Sequence, residues 1–195
     1  YLDENVLERL SKVKKFCPQF HLSLQSGCDK TLKDMNRNYT SAEYAHIVSN
    51  IRKFWNNPSV TTDVMVGFAG ESDEDFNSSL EFVKSIGFAK VHVFPYSKRE
   101  GTKAWDMKGH LTNAVKAQRA SVMGDAVEKS RVEFMNSQVG KACFVLFETI
   151  SDKGYFGLSD NFTPIVVSSD TDIRSQILKV EIVGTEGELC MAKLL

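Results

Sequence analysis

Apolar and polar positions along this chain change period several times, and each change marks an element. Three short runs alternate at the period of a strand: FHLSL at 20–24, VTTDVMV at 60–66 and KVHVF at 90–94. In such runs residues i and i+2 share a face. Between the first two, Thr40 and Glu43 fit a capping box, and Tyr44, Ile47, Val48, Ile51 and Trp55 fall on one helical stripe. A second helix is predicted from Ser72. Asp73, Glu74 and Asp75 complement the positive end of its dipole, Phe76, Leu80 and Val83 turn inward, and Gly87 ends it. The order is βαβαβ, which predicts parallel strands joined by right-handed crossovers.

The strands are not uniformly apolar. In the first, His21, Ser23 and Gln25 oppose Leu22 and Leu24; in the third, His92, Phe94 and Tyr96 oppose Val91 and Val93. A parallel strand covered on both faces normally reads as a continuous apolar run, so a polar side fits a ligand-holding lumen, a hydrogen-bonded polar core or an edge strand. Three strands alone make a poor independent barrel. The expectation is therefore an α/β fold in which residues 1–138 form the C-terminal half of a partial parallel (β/α) TIM-like barrel, with the remaining strands upstream of Tyr1. A long helix is predicted from Thr112 to about Gln138, carrying Val115, Val122, Met123, Ala126, Val127 and Phe134 at mostly helical spacing and buttressing that barrel. After Gly140 the texture becomes ACFVLFET, a turn at DKG, then YFGLS, PIVV, ILKVEIVG and ELCMAKLL. Short strands separated by turn residues predict a small all-β barrel over 139–195.

Composition narrows the classes. A 42% hydrophobic and 25% charged share is that of a globular protein, and no apolar run approaches the roughly 20 residues that span a bilayer. A cytoplasmic location with no membrane partner is the default expectation. The formal charge of -1 excludes a general polycation, so nucleic-acid binding needs a local patch. Cys17, Cys28, Cys143 and Cys190 form neither a CxxC nor a Cys/His cluster, and read as reduced structural thiols, not metal ligands. A start at Tyr1, without Met, fits a fragment of a longer protein.

In parallel barrels reactive groups gather beyond the C-terminal strand ends, which here read QSGCD, GFAGE and PYSKREGT. Each offers Gly where backbone must turn or approach a ligand, with polar side chains beside it. Together, HLSLQSGCDKTLKDMNRNYT, TTDVMVGFAGES and VHVFPYSKREGT resemble the last three strands and loops of the radical S-adenosylmethionine methylthiotransferases. VHVFPYSKREGT is most similar to the branch that modifies threonylcarbamoyl-adenosine in tRNA. The final segment, with GLSDNFTPIVV, resembles the TRAM domain, a small OB-like β-barrel that binds tRNA in that family.

The resemblance implies S-adenosylmethionine and two iron-sulfur clusters in the parent protein, whose cluster cysteines would precede Tyr1, so no catalytic or metal-binding residue is assigned here. It also implies a tRNA anticodon stem-loop as substrate and an electron-donor protein as partner. Carried over onto this chain, Gln25 and Ser26 are expected to contact the ribose and methionine part of the cofactor. Gly67 is expected to let backbone approach adenine, with Glu71 as its anchor or as helix-dipole compensation. Phe94 and Tyr96 are expected to pack on adenine, with ordinary core packing as the alternative for Phe94. Asp63 reads either as a lumen residue or as a buried carboxylate tied to an Arg. Lys98 and Arg99 suit phosphates near the barrel mouth, or form a solvated turn. In the terminal barrel Lys141, Lys153, Tyr155 and Asn161, with Phe162 unless it is buried, combine cations and aromatic faces for unpaired bases; core packing is the lesser reading for Tyr155.

Ala69, Lys103 and Asn38 depart from the family pattern, where Pro, Pro and a basic residue are usual. Two other functions stay open: a non-catalytic RNA-binding protein that retains the terminal barrel, and a methylthiotransferase acting on a ribosomal protein.

Overall fold

The computed structural model describes residues 2–195; Tyr1 lies outside them. Helix α1 (Glu4–Ser11) opens the chain, capped by Asp3, whose carboxylate accepts from Val6 N at 2.8 Å. Strands β1 (Gln19–His21), β2 (Ser59–Val66) and β3 (Lys90–Pro95) form a parallel sheet in that order. The short helix α2 (Asp29–Asp34) precedes α3 (Ser41–Phe54), which links β1 to β2, and α4 (Asp73–Ile86) links β2 to β3. The capping box expected at Thr40 forms, and the helix expected from Ser72 starts there with a box of its own. Thr40 caps α3 in a reciprocal box with Glu43, and Ser72 caps α4 in a box with Asp75, while Gly87 ends α4 at φ +67.

One face of the sheet is covered. Val60, Val64 and Val66 join Tyr44, Val48 and Ile51 of α3, Phe76, Leu80 and Val83 of α4, and Met123 in a single core. The helix α5 (Asn113–Asn136), capped by Thr112, packs across β3 and runs on toward the terminal barrel. Its buried stripe differs from the predicted one: Val122 is exposed, whereas Arg119 is buried. Apolar periodicity does not anticipate this, because a buried guanidinium requires a carboxylate contributed from elsewhere.

The first strand is shorter than predicted. Thr62 replaces part of the ladder: Leu24 N donates to its Oγ1 at 2.8 Å, and that hydroxyl donates to Leu22 O at 2.5 Å. Pairing resumes one step on, where Gln25 N donates to Asp63 O at 2.8 Å and Met65 N to Gln25 O at 2.9 Å. Gln25 has φ +67 and is buried, while His21 and Ser23 are exposed. The three do not form the single polar row that strict alternation predicts.

Beyond α5 lies a closed five-stranded barrel of β4 (Ala142–Ser151), β5 (Gly154–Ser159), β6 (Pro164–Val167), β7 (Ile177–Glu186) and β8 (Leu189–Leu194), in spatial order β4-β5-β6-β8-β7. Parallel pairing of β6 with β8 closes it, leaving no open edge. Its core holds Val145, Phe147, Tyr155, Ile165, Val167, Val180 and Ile182. At Gly157 a Cβ would collide with Leu146 O, so only glycine permits this approach of β5 to β4.

Asn57, in the loop before β2, clasps the two parts together. Its side chain makes a reciprocal amide pair with buried Gln138 and accepts from Lys141 Nζ at 3.0 Å, and its carbonyl accepts from Asn161 Nδ2 at 2.9 Å. Among the described residues no helix is long and apolar enough to cross a membrane.

Candidate functional site at the C-terminal strand ends

The parallel sheet brings Gln25, Gly67 and Tyr96 to the same end of three adjacent strands: Gln25 bridges to Val64, and Tyr96 N donates to Val66 O at 2.8 Å. The loop after β2 is the most constrained of the three. Gly67 adopts φ +74, and a Cβ there would lie 2.5 Å from Lys116 Cγ. Its amide donates to Glu71 Oε2 at 2.7 Å. Glu71 in turn accepts from Arg119 Nη1 at 2.6 Å, and the same guanidinium nitrogen reaches Glu71 O at 3.1 Å. Both residues are about 5% exposed or less. Burial pushes the Glu71 carboxyl above its ordinary range, opposed by the Gly67 amide and by Arg119.

Glu71 thus acts on the loop backbone. It is joined to the Gly67 amide by a hydrogen bond and to Arg119 of α5 by an ion pair, a closer tie than compensation of the α4 dipole alone. The second helix residue that helps is Lys116, whose Nζ donates to Tyr96 O at 3.1 Å while its stem fills the space above Gly67. A segment following β3 folds back over this end: Gly70 N donates to Gly109 O at 2.9 Å, and the His110 ring stacks on Tyr96 with centroids 6.0 Å apart. Phe68 meets Tyr96 edge to face, with ring centroids 5.0 Å apart.

Gln25 has the freest chemistry in the site. The residue is 8% exposed, yet its side-chain amide has no hydrogen-bond partner among the described residues. The amide's own atoms keep access to solvent, so they are free to turn to a polar ligand group. Ser26 does not fit the contact expected of it. It is fully buried, and its hydroxyl is used by Ser79 Oγ at 3.4 Å and by Cys28 N at 3.2 Å. The cause is Gly27, where a Cβ would come within 2.8 Å of both Phe82 and Ser79, so this turn is pressed onto α4. Tyr96 is also buried, with the rings of His110 and Phe68 against it. Phe94, beside Met65 in the register, is half-buried on the uncovered face of the sheet.

The same face carries a polar network. His21 Nε2 lies 3.1 Å from Asp63 Oδ2, Ser23 Oγ donates to that oxygen at 3.2 Å, and His21 Nδ1 lies 3.0 Å from Thr61 Oγ1. Asp63 is therefore partly exposed and partnered by His21, not buried against an Arg. The arginine expected there serves Glu71 instead. Its signal in the sequence was a basic residue four positions from both Val115 and Met123, on an otherwise apolar stripe.

The residues expected to meet RNA divide. Lys98 is exposed with its ammonium 4.4 Å from the centroid of the Trp105 ring, and Arg99 is exposed just past β3. Lys141 and Lys153 are exposed, the latter 2.6 Å from Glu186. Tyr155 belongs to the barrel core: burial alternates along β5, and its parity turns it inward despite the adjacent turn. Asn161 is buried and holds its own turn, accepting from Ser159 Oγ at 2.6 Å and Thr163 Oγ1 at 2.7 Å. Neither side chain is presented to a ligand. Phe162, for which burial was the alternative, is 52% exposed.

All four cysteines are free thiols, and burial pushes both Cys143 and Cys190 up to about 11. Among the described residues no group of three or more His, Cys, Asp or Glu side chains is placed to hold a metal ion, so these residues do not fit an iron-sulfur cluster.

Comparison with known proteins bears on the same segments. A model of the radical SAM superfamily matches residues 1–83, which include β1, β2 and the loop at Gly67. A tRNA-2-methylthio-N(6)-dimethylallyladenosine synthase of Pelotomaculum thermopropionicum is 34% identical over 182 residues, covering 92% of this chain and 41% of the relative. The threonylcarbamoyladenosine tRNA methylthiotransferase MtaB of Aquifex aeolicus is 40% identical over 140 residues, covering 72% of this chain and 34% of the relative. The MtaB of Thermotoga maritima is 32% identical over 161 residues, 83% of this chain and 37% of the relative. The chain spans about two fifths of the length of the curated relatives it matches. Its first 83 residues thus match the radical SAM superfamily, and the chain as a whole is similar to tRNA methylthiotransferases.

Proposed function

We propose that this chain is part of a radical S-adenosylmethionine tRNA methylthiotransferase that adds a methylthio group to C2 of threonylcarbamoyl-adenosine beside the anticodon. The observation that carries the reading is the extent of the similarity. It runs through both the parallel sheet and the terminal barrel, over 92% of the chain, to a relative named for a methylthiolated tRNA nucleoside. The threonylcarbamoyl branch is favoured by VHVFPYSKREGT at the end of β3 and by the 40% identity to MtaB of Aquifex aeolicus.

In this reading residues 1–138 are the rear half of the parent's barrel and 139–195 its tRNA-binding arm, and the parent works in the cytoplasm. S-adenosylmethionine, held by an iron-sulfur cluster elsewhere in the parent, supplies the radical chemistry when bound. Of this chain's residues, Gln25 offers the unpartnered amide and Gly67 the close backbone approach. Glu71 and Arg119 fix the loop carrying Gly67, and Phe94 stands on the exposed face beside them. Lys98 and Arg99 supply cations past β3 for the phosphates of the anticodon stem-loop.

The test is anaerobic reconstitution of the full-length parent with tRNA. Reduction bleaches the cluster absorption and methylthiolated nucleoside appears in the digest; tRNA that stays unmodified sinks the assignment. Lys98→Ala with Arg99→Ala lowers the salt dependence of tRNA binding, the slope falling by about one for each phosphate that a cation no longer neutralises. An unchanged slope removes the pair from the RNA site.

A further inference from the structure

The loop between α3 and β2 reaches the terminal barrel through one residue. With α3 ended at Phe54 and Pro58 next in sequence, Asn57 is kept out of a helical backbone. Its side chain donates to Gln138 Oε1 and accepts from Gln138 Nε2 at 3.2 Å and from Lys141 Nζ at 3.0 Å, while its carbonyl accepts from Asn161 Nδ2 at 2.9 Å. Among the described residues, these are the only hydrogen bonds that join the segment before α5 to the segment after it. Gln138 is 1% exposed, and no other donor among the described residues reaches its Oε1.

Packing makes no comparable bridge. The core of the sheet and the core of the barrel share no residue, and α5 alone supplies both, with Met123 in the first and Met135 in the second. From Arg119, which holds the loop at Gly67 through Glu71, to Met135 the helix runs about 24 Å. Its last turn is tied to the barrel by Met135 and by Thr185 Oγ1, which donates to Asn136 Oδ1 at 2.9 Å. Elsewhere the two parts stand apart across cavities of about 390 and 510 Å³, with walls from both. Units joined without a large apolar interface move relative to one another by default. Attachments along one helix end resist separation but leave the barrel free to turn. A second attachment from another element, reaching both Gln138 and the β5–β6 turn, stops that turning.

We propose that Asn57 is a positioning residue that fixes the angle of the terminal barrel to the parallel sheet. Its consequence for the reaction rests on the function proposed above: Asn57 sets where tRNA held by the barrel meets the strand ends at Gln25 and Gly67. A carboxamide suits the task because it donates and accepts at once. Asn57 spends one donor and both acceptor positions of its amide on Gln138 and Lys141. Aspartate at this position would keep both acceptor bonds and lose only the donor.

The test measures residual dipolar couplings of backbone amides in the 195-residue chain, those of β1–β3 against those of β4–β8. In the native sequence one alignment tensor is expected to fit both sets. In Asn57→Ala the two sets need different tensors, while amide shifts inside each core stay as they were. That variant leaves Gln138 Oε1 buried without a donor, so Asn57→Ala/Gln138→Met is measured beside it. With no amide of the pair left unmatched the double variant folds, and it too needs two tensors. Asn57→Asp returns to one. In the full-length parent both alanine variants keep the KM for tRNA within about twofold and lower kcat about tenfold or more, since the tRNA contacts are kept and only their placement is lost. Asn57→Asp recovers most of that loss. A single tensor in both alanine variants overturns the proposal, as does an unchanged kcat where the tensors differ, or a KM that rises with kcat held. A native parent that leaves tRNA unmodified sinks the function proposed above instead, and the couplings then decide the barrel's orientation by themselves.

Discussion

Replacing Arg119 by Met removes the cation that faces Glu71 in the interior. Arg119 lies 2.6 Å from Glu71 and also 2.6 Å from Asp73, but Asp73 is 85% exposed, so its pairing contributes little. The larger effect is the carboxylate left behind. Removing one partner of a buried ion pair costs about 3–5 kcal/mol. Glu71 also keeps the Gly67 amide, so the lower part of that range is expected. Urea unfolding followed by tryptophan fluorescence measures it on the right part of the molecule, because Trp55 packs against the sheet core and the terminal barrel contains no tryptophan.

The pH dependence has a definite sign. Glu71 is already held above the ordinary carboxylate range, and removal of Arg119 raises it further. A carboxyl whose folded pKa exceeds its unfolded value takes up its proton first in the folded state. The Arg119→Met defect therefore shrinks as pH falls from about 7 toward the unfolded carboxylate value of about 4.3 and grows again as pH rises. Glu71→Gln retains an acceptor for Gly67 N with no charge to bury, so the double variant Arg119→Met/Glu71→Gln is more stable at neutral pH than Arg119→Met alone. Amide exchange at Gly67 quickens in Arg119→Met, since Glu71, which anchors the loop, is itself no longer held. A defect under about 1 kcal/mol at neutral pH, with no pH dependence and unaltered exchange at Gly67, refutes the assignment of this pair as what holds the loop.

Three further expectations follow from close approaches and burial. Gly67→Ala combines φ +74 with a Cβ 2.5 Å from Lys116, and is expected to cost about 1–3 kcal/mol by the same urea measurement. Gly157→Ala drives a methyl into Leu146 O and is expected to open the barrel, with the amide protection of β4 and β5 abolished while Trp55 fluorescence is kept. A thiol reagent at a pH of about 8 labels exposed Cys17 ahead of Cys143 and Cys190, whose thiols are pushed up to about 11. Because those two are raised above an unfolded value of about 8.5, stability declines as pH climbs through that interval. Equal labelling of all four under those conditions contradicts their burial.

Local signals located most elements because they depend on neighbours in the chain. The Thr40–Glu43 box, the helix start at Ser72 and its stop at Gly87 need only residues within a few positions of one another, and all three were readable; the reciprocal bond of Ser72 with Asp75, read only as dipole compensation, was not. So were the parallel strand order and the run of short strands after Gly140. Of the candidate site, the clustering of Gln25, Gly67 and Tyr96 at one end of the sheet follows from that order.

Contacts across the fold decided the rest. Thr62, a residue of β2, interrupts the ladder of β1 and turns Gln25 inward, which no periodicity within 20–24 announces. Gly27 pressed against α4 takes the Ser26 hydroxyl out of reach of any ligand, and Arg119 is legible as a buried cation only once Glu71 is seen 2.6 Å away. Tyr155 alone of the two rings departs from its expected place, because strand parity in β5, and not closeness to a turn, sets that it faces the core. Sequence alone determined which elements form and in what order, since capping, period and turn chemistry are short-range. Only the tertiary structure decided which polar groups are left for a ligand, because that depends on partners brought together from distant parts of the chain.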